Sequence, residues 1–141
     1  MPKVFLGGTV NSSKWREYVI PRLTIDYFDP VVDEWNDKAY QKELYEREHC
    51  QYCLYVLTPM MKGVYSIAEV VDDSNKRPQK TLFCFLTKDG DKEFDPVQIK
   101  SMNAVTKMII NNGAKHFKTL DECISFLNTA PKRIRHASPV Q

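Results

Sequence analysis

The run Tyr52-Cys53-Leu54-Tyr55-Val56-Leu57 limits the folds open to this chain more than any other feature. It is continuously apolar or aromatic, too short for a helix core, and lacks the in–out alternation of a strand with one wet face. A strand of this kind needs cover on both sides. Lys3-Val4-Phe5-Leu6 and Thr81-Leu82-Phe83-Cys84-Phe85-Leu86 have the same character. Ile25-Asp26-Tyr27-Phe28, stopped by Asp29-Pro30, and the short Lys115-His116-Phe117 supply two weaker strands. Longer amphipathic segments separate all of them. Continuous apolar strands alternating with helices predict an α/β chain: a flavodoxin-like three-layer sandwich with a five-stranded parallel sheet and helices on both faces.

The intervening segments carry helix signals. Ser12-Ser13 before Trp15, Val19 and Leu23 predicts a Ser-capped helix, and Asp37 to His49 predicts a charged one. Val64, Ile67, Ala68 and Val71 fall at i, i+3, i+4 and i+7. Asp95-Pro96 opens a helix closed by Gly113, and Thr119-Leu120-Asp121-Glu122 spells a capping box for the last one. Lys88 to Lys92 is expected as a loop. Residues 1–130 are expected as a single domain, followed by a flexible basic tail over 131–141.

Composition narrows the function classes. Twenty basic and eighteen acidic residues leave a net charge of +2, which argues against a chain built to neutralise nucleic-acid phosphates. No run approaches a membrane span, and the residues after Met1-Pro2-Lys3 lack the apolar stretch of a signal peptide. Four cysteines are too sparse for a disulfide scaffold, so reduced thiols in a cytoplasm are expected. Cys50-x-x-Cys53 has no second pair to complete a zinc site, and no metal site is expected.

Ligands of such sheets bind beyond the carboxyl ends of the strands. Gly7-Gly8-Thr9 follows the first strand and can bring backbone N–H groups close to a ligand, or serve only as a tight turn. It matches neither a Walker A loop nor a G-x-G-x-x-G fingerprint. Glu69 falls just inside the helix after the third strand, where a positive helix end would keep a carboxylate ionised. Ser66-Ile67-Ala68-Glu69 equally spells a capping box, and Glu43 with Arg47 reads as an i,i+4 surface pair. Spacing alone makes neither glutamate catalytic.

Taken in order, Val4-Phe5-Leu6-Gly7-Gly8-Thr9, Lys14-Trp15-Arg16, Phe28-Asp29-Pro30-Val31-Val32-Asp33-Glu34-Trp35, Glu43, and Leu57-Thr58-Pro59 leading through Gly63 and Ser66 to Glu69 resemble the nucleoside 2-deoxyribosyltransferase-like superfamily. That superfamily includes nucleoside 5′-monophosphate N-glycosidases. The resemblance implies cleavage of the bond between a nucleobase and (deoxy)ribose. Glu69 would be the nucleophile at the anomeric carbon, and Glu43 the acid that positions the sugar or polarises the base. Gly7, Gly8 and Thr9 would line the sugar site, with Gly63 and Ser66 beside Glu69, and Asp29, Asp33 and Trp35 would face the base. It also implies a homo-oligomer whose neighbouring subunits complete each pocket through residues 87–99, and no cofactor.

Two departures from the family pattern stand out. Gly63 lies farther from Glu69 than in relatives, and Thr58-Pro59-Met60-Met61-Lys62 carries a cation where many relatives place an acid. Lys62 favours an anionic group such as a 5′-phosphate. The expected partner is therefore a small-molecule nucleoside or nucleotide. The alternatives are a non-catalytic nucleotide-binding or sensing module on the same fold, and an interaction protein using its surface and basic tail.

Overall fold

The computed structural model describes residues 2–10 and 12–137. The first half runs β1 (Lys3–Gly8), α1 (Trp15–Val19), β2 (Asp26–Phe28), α2 (Asp37–His49), β3 (Tyr52–Leu57) and α3 (Tyr65–Lys76). The second runs β4 (Thr81–Phe85), β5 (Lys88–Asp89), β6 (Lys92–Glu93), α4 (Pro96–Asn111), β7 (Lys115–His116) and α5 (Leu120–Ala137). Five strands pair in parallel in the order β2-β1-β3-β4-β7. This is the three-layer α/β arrangement expected from the strand pattern. The segment expected as a loop folds as a small antiparallel hairpin, β5–β6.

Strand alternation sends successive side chains to opposite faces of the sheet. Val4, Leu6, Leu54, Val56 and Leu82 pack with Trp15 and Val19 of α1 and Cys123 and Leu127 of α5. Phe5, Tyr55, Leu57 and Phe83 pack on the other face with Val70 of α3 and Met102 and Ile109 of α4. All six β3 side chains are buried, as their unbroken apolar run requires.

From β1 the chain crosses to β2 on one side and then to β3 on the other, so the strand order reverses beside β1. The crevice at the carboxyl ends of β1 and β3 is the topological switch point. Gly8 ends β1 there at φ 120°, and a Cβ on it would lie 2.0 Å from the Val56 carbonyl oxygen. Only glycine fits that close approach to β3.

Two helix starts differ from the sequence pattern. No serine caps α1: its N-cap is Lys14, and the Ser13 hydroxyl instead donates to Asp89 of β5 at 2.6 Å. The start of α1 is held by Trp15 and Arg16, whose side chains donate to backbone carbonyls at the end of β1. The expected box at α3 does not form either, because its N-cap is Val64 without a side-chain bond. Boxes do close α4, through Asp95 and Gln98, and α5, through Thr119 and Glu122. Helix α5 continues to Ala137, into the segment expected as a tail, and residues 138–141 lie outside the described residues.

Candidate active site

The turn after β1 is tied down by its own backbone and by α1. Thr9 N–H donates to Val56 O at 2.9 Å, and its hydroxyl accepts from Thr58 N–H at 3.0 Å, locking the ends of β1 and β3 together. The Arg16 guanidinium is buried and donates to Leu6 O at 2.9 Å and Thr9 O at 2.7 Å. Burial lowers its proton affinity to about 10, against the pull of Asp29 and Glu43. A guanidinium satisfied by carbonyls braces the glycine turn while placing positive charge at the crevice.

Beside this turn lies a cavity of about 510 Å³, within the range of small-ligand sites. Gly7, Gly8 and Thr9 form one wall, and Pro30, Val31, Val32 and Trp35 from the β2–α2 loop form an apolar one. Gly63, Tyr65 and Ser66 bring in the start of α3, and Glu43 and Glu69 face the cavity from α2 and α3. Eight of the residues expected at the site therefore converge. Asp29, Asp33 and Lys62 do not line the cavity. Asp29 caps the turn after β2 by accepting from Val31 N–H at 3.0 Å and pairs with Arg16 at 3.5 Å. Asp33 and Lys62 are exposed.

Glu43 and Glu69 bring two carboxyl groups together at the cavity wall. Glu69 is only 6% exposed, and its Oε2 has no hydrogen-bond partner. Desolvation first, then the neighbouring Glu43 carboxyl, push its proton affinity up to about 9. Ionising Glu69 away from water and beside a second carboxyl group is unfavourable, so Glu69 keeps its proton to higher pH. This corrects the expectation that the helix end keeps Glu69 ionised: burial and a like neighbour outweigh the dipole of α3.

Arg47 also departs from the sequence reading. Rather than a surface partner of Glu43, it is 4% exposed and reaches α3, with Nη2 at 3.1 Å from Asp73 Oδ1 and Nη1 at 3.7 Å from Glu69 Oε2. Tyr65 lies beside Tyr40 and near Glu69, and burial with these neighbours raises its hydroxyl above the ordinary value. Sequence reasoning missed Arg16, Tyr65 and the apolar wall Pro30-Val31-Val32 as site features. Their shared signal was position, since each lies just beyond a strand end or at a helix start.

The cysteines take no part. Cys50 and Cys53 are buried free thiols, and burial pushes each up to about 12. Among the described residues no group of three or more His, Cys, Asp or Glu is placed to hold a metal ion. Nor is any helix among them long and apolar enough to cross a membrane.

The family model described as nucleoside 2-deoxyribosyltransferase-like matches residues 1–88, more than half of the chain. The chain belongs to the nucleoside 2-deoxyribosyltransferase-like family. The match spans β1 through β4 and every cavity residue named above, so family membership and geometry meet at one place. For a nucleoside 2-deoxyribosyltransferase-like chain the implied ligand is a small nucleoside-type molecule. No curated protein matches the chain.

Proposed function

We propose that this chain cleaves or transfers the N-glycosidic bond of a (deoxy)nucleoside or its 5′-monophosphate, with Glu69 as nucleophile and Glu43 as its proton partner. The observation that carries the reading is the buried Glu69 beside the half-buried Glu43, both facing the switch-point cavity. A cleavage of this kind needs one carboxyl group to give a proton and a second to meet positive charge at the anomeric carbon. A pair that shares one proton supplies both.

The steps follow from that inventory. The shared proton settles on Glu43 as the sugar enters, leaving Glu69 ionised. The C1′–N bond breaks, its electrons stay on the base nitrogen, and Glu43 protonates the departing base. Glu69 closes on C1′ to form a glycosyl ester. A water or a second base then attacks C1′, gives its proton to Glu43, and releases Glu69. Trp35, Val31 and Val32 suit the flat, apolar faces of a nucleobase. The start of α3 at Ser66, with Lys62 in the preceding loop, suits the 5′-phosphate. The steps use no metal or organic cofactor.

The rim of the cavity supports a homo-oligomer. Val31, Val32, Trp35, Val64 and Tyr65 are all about half exposed or more, an apolar surface that a second copy of the chain would cover.

Chromatography of a panel of nucleosides and 5′-monophosphates, with and without added free base, tests the activity. Base release or exchange that disappears in Glu69→Gln is the expected result. Thermal stabilisation by a panel member without any turnover would make the protein a binding module instead.

A further inference from the structure

Helical spacing builds a second layer of charge beneath the carboxyl pair. Arg47 follows Glu43 by one turn of α2, and Asp73 follows Glu69 by one turn of α3. Packing the two helices therefore stacks an Arg47–Asp73 ion pair under the Glu43–Glu69 pair. Asp73 is fully buried and carries three partners: Arg47, the Tyr55 hydroxyl from β3, and Arg77 Nη2 at 2.5 Å. Arg47 also reaches Asp72 at 3.2 Å. Its remaining terminal nitrogen, Nη1, lies 3.7 Å from Glu69 Oε2, the oxygen that has no hydrogen-bond partner. That separation is beyond a good hydrogen bond and within reach of one after a small shift.

We infer that Arg47 is a positioning residue for Glu69: anchored by Asp73, it fixes the carboxyl group through Oε2 and holds a permanent cation beside it, so that the ionised form is the one presented to the sugar. The inference rests on the reading of Glu69 as nucleophile. Arg47 does not line the cavity, so it acts only through Glu69. Arginine suits the task, because one fork spans both Asp73 and Glu69 and stays charged even when buried. The proton exchanged between Glu43 and Glu69 then has a fixed bias, and the anchor keeps that bias from relaxing as the base departs.

The charged and titratable surroundings set the sign of the test. Glu69 is faced by Glu43 and Arg47 from α2, by Asp73 and Tyr65 from its own helix, and through Tyr65 by Tyr40. Arg47 is faced by Tyr55 from β3 and by Asp72, Asp73 and Glu69 from α3, while Arg16 of α1 acts on Glu43. Removing the cation in Arg47→Gln raises the titration of the carboxyl pair. Removing the opposing anion in Asp73→Asn leaves Arg47 unopposed and lowers it. Both changes weaken the α2–α3 contact, so a purely structural clamp would lower the melting temperature in both variants without moving the titration in opposite directions.

The titration is read from the carboxyl carbons of 13C-labelled glutamate in the free protein, with the Glu69 signal assigned by its loss in Glu69→Gln. The acid limb of kcat/KM for base release is measured alongside. The expected result is a shift upward by about one pH unit or more in Arg47→Gln and a shift downward in Asp73→Asn. If Arg47→Gln fails to fold, Arg47→Lys takes its place: the shorter side chain with a single nitrogen cannot span Asp73 and Glu69, so an upward shift is again expected. An unmoved titration, or shifts of the same sign in both variants, overturns the inference. Absence of turnover by the unmodified protein across the panel would instead overturn the assigned activity, while the carboxyl titration would still report whether Arg47 governs Glu69.

Discussion

Replacing Glu69 with glutamine is expected to stabilise the protein near neutral pH while abolishing turnover. Burial and Glu43 raise the Glu69 carboxyl from its ordinary value of 4.5 to about 9. Below the lower value both the native and unfolded chains hold the proton, and the native state loses nothing. Between the two values the native state keeps a proton that the unfolded state has released. Stability therefore falls as pH rises, by up to about 1.4 kcal/mol per pH unit for one proton. Across roughly two units around neutrality the ceiling is about 2.7 kcal/mol, and relaxation of the pair with water entry leaves about 1–2 kcal/mol. Gln keeps the shape, has no proton to lose, and donates an N–H to Glu43. Urea denaturation of both proteins from about pH 5.5 to 7.5 checks this, because groups that do not interact with Glu69 cancel in the difference. The gain of Glu69→Gln over the unmodified protein should widen as pH rises. A constant difference, or one that narrows, would refute a proton held by the native pair.

Further expectations separate structural glycines from site glycines and test the anion preference. Gly8→Ala places a Cβ 2.0 Å from the Val56 carbonyl at a φ of 120°, and a loss of about 3 kcal/mol or more is expected in chemical denaturation. Gly63→Ala meets nothing within 4 Å, so stability should change by less than about 0.5 kcal/mol while KM responds, since Gly63 lines the cavity. Lys62→Ala should reduce the preference for a 5′-monophosphate over its nucleoside by about fivefold, read from the ratio of kcat/KM values and weakening with added salt.

The architecture was legible because the strands advertise themselves. Tyr52–Leu57 must be covered on both faces, and that single demand, repeated at β1 and β4, leaves a parallel sheet with helices on either side. The positions of Glu43 and Glu69 followed from the order of motifs. Their state did not, because it depends on α2 meeting α3. Helix α2 has no apolar face, and its polar surface reads as solvated throughout. Yet it buries Glu46 against Lys3 and Lys42, and Arg47 against the acids of α3. Charges neutralised by partners distant in sequence look, residue by residue, like surface charges. The same blindness made Ser66–Glu69 read as a cap, although Glu69 lies on the turn of α3 that faces Glu43. The β5–β6 hairpin escaped for a different reason: two-residue strands of Lys, Asp and Glu carry no hydrophobic alternation.

Intact-mass spectrometry of protein quenched in acid during turnover tests the central claim most directly. With a nucleotide that releases its base, the expected result is a transient mass gain equal to the sugar phosphate less water. Peptide mapping should place it on Glu69, and it should be missing from Glu69→Gln. Base release at an undiminished rate in Glu69→Gln, or an adduct that maps to another residue, would contradict Glu69 as the nucleophile.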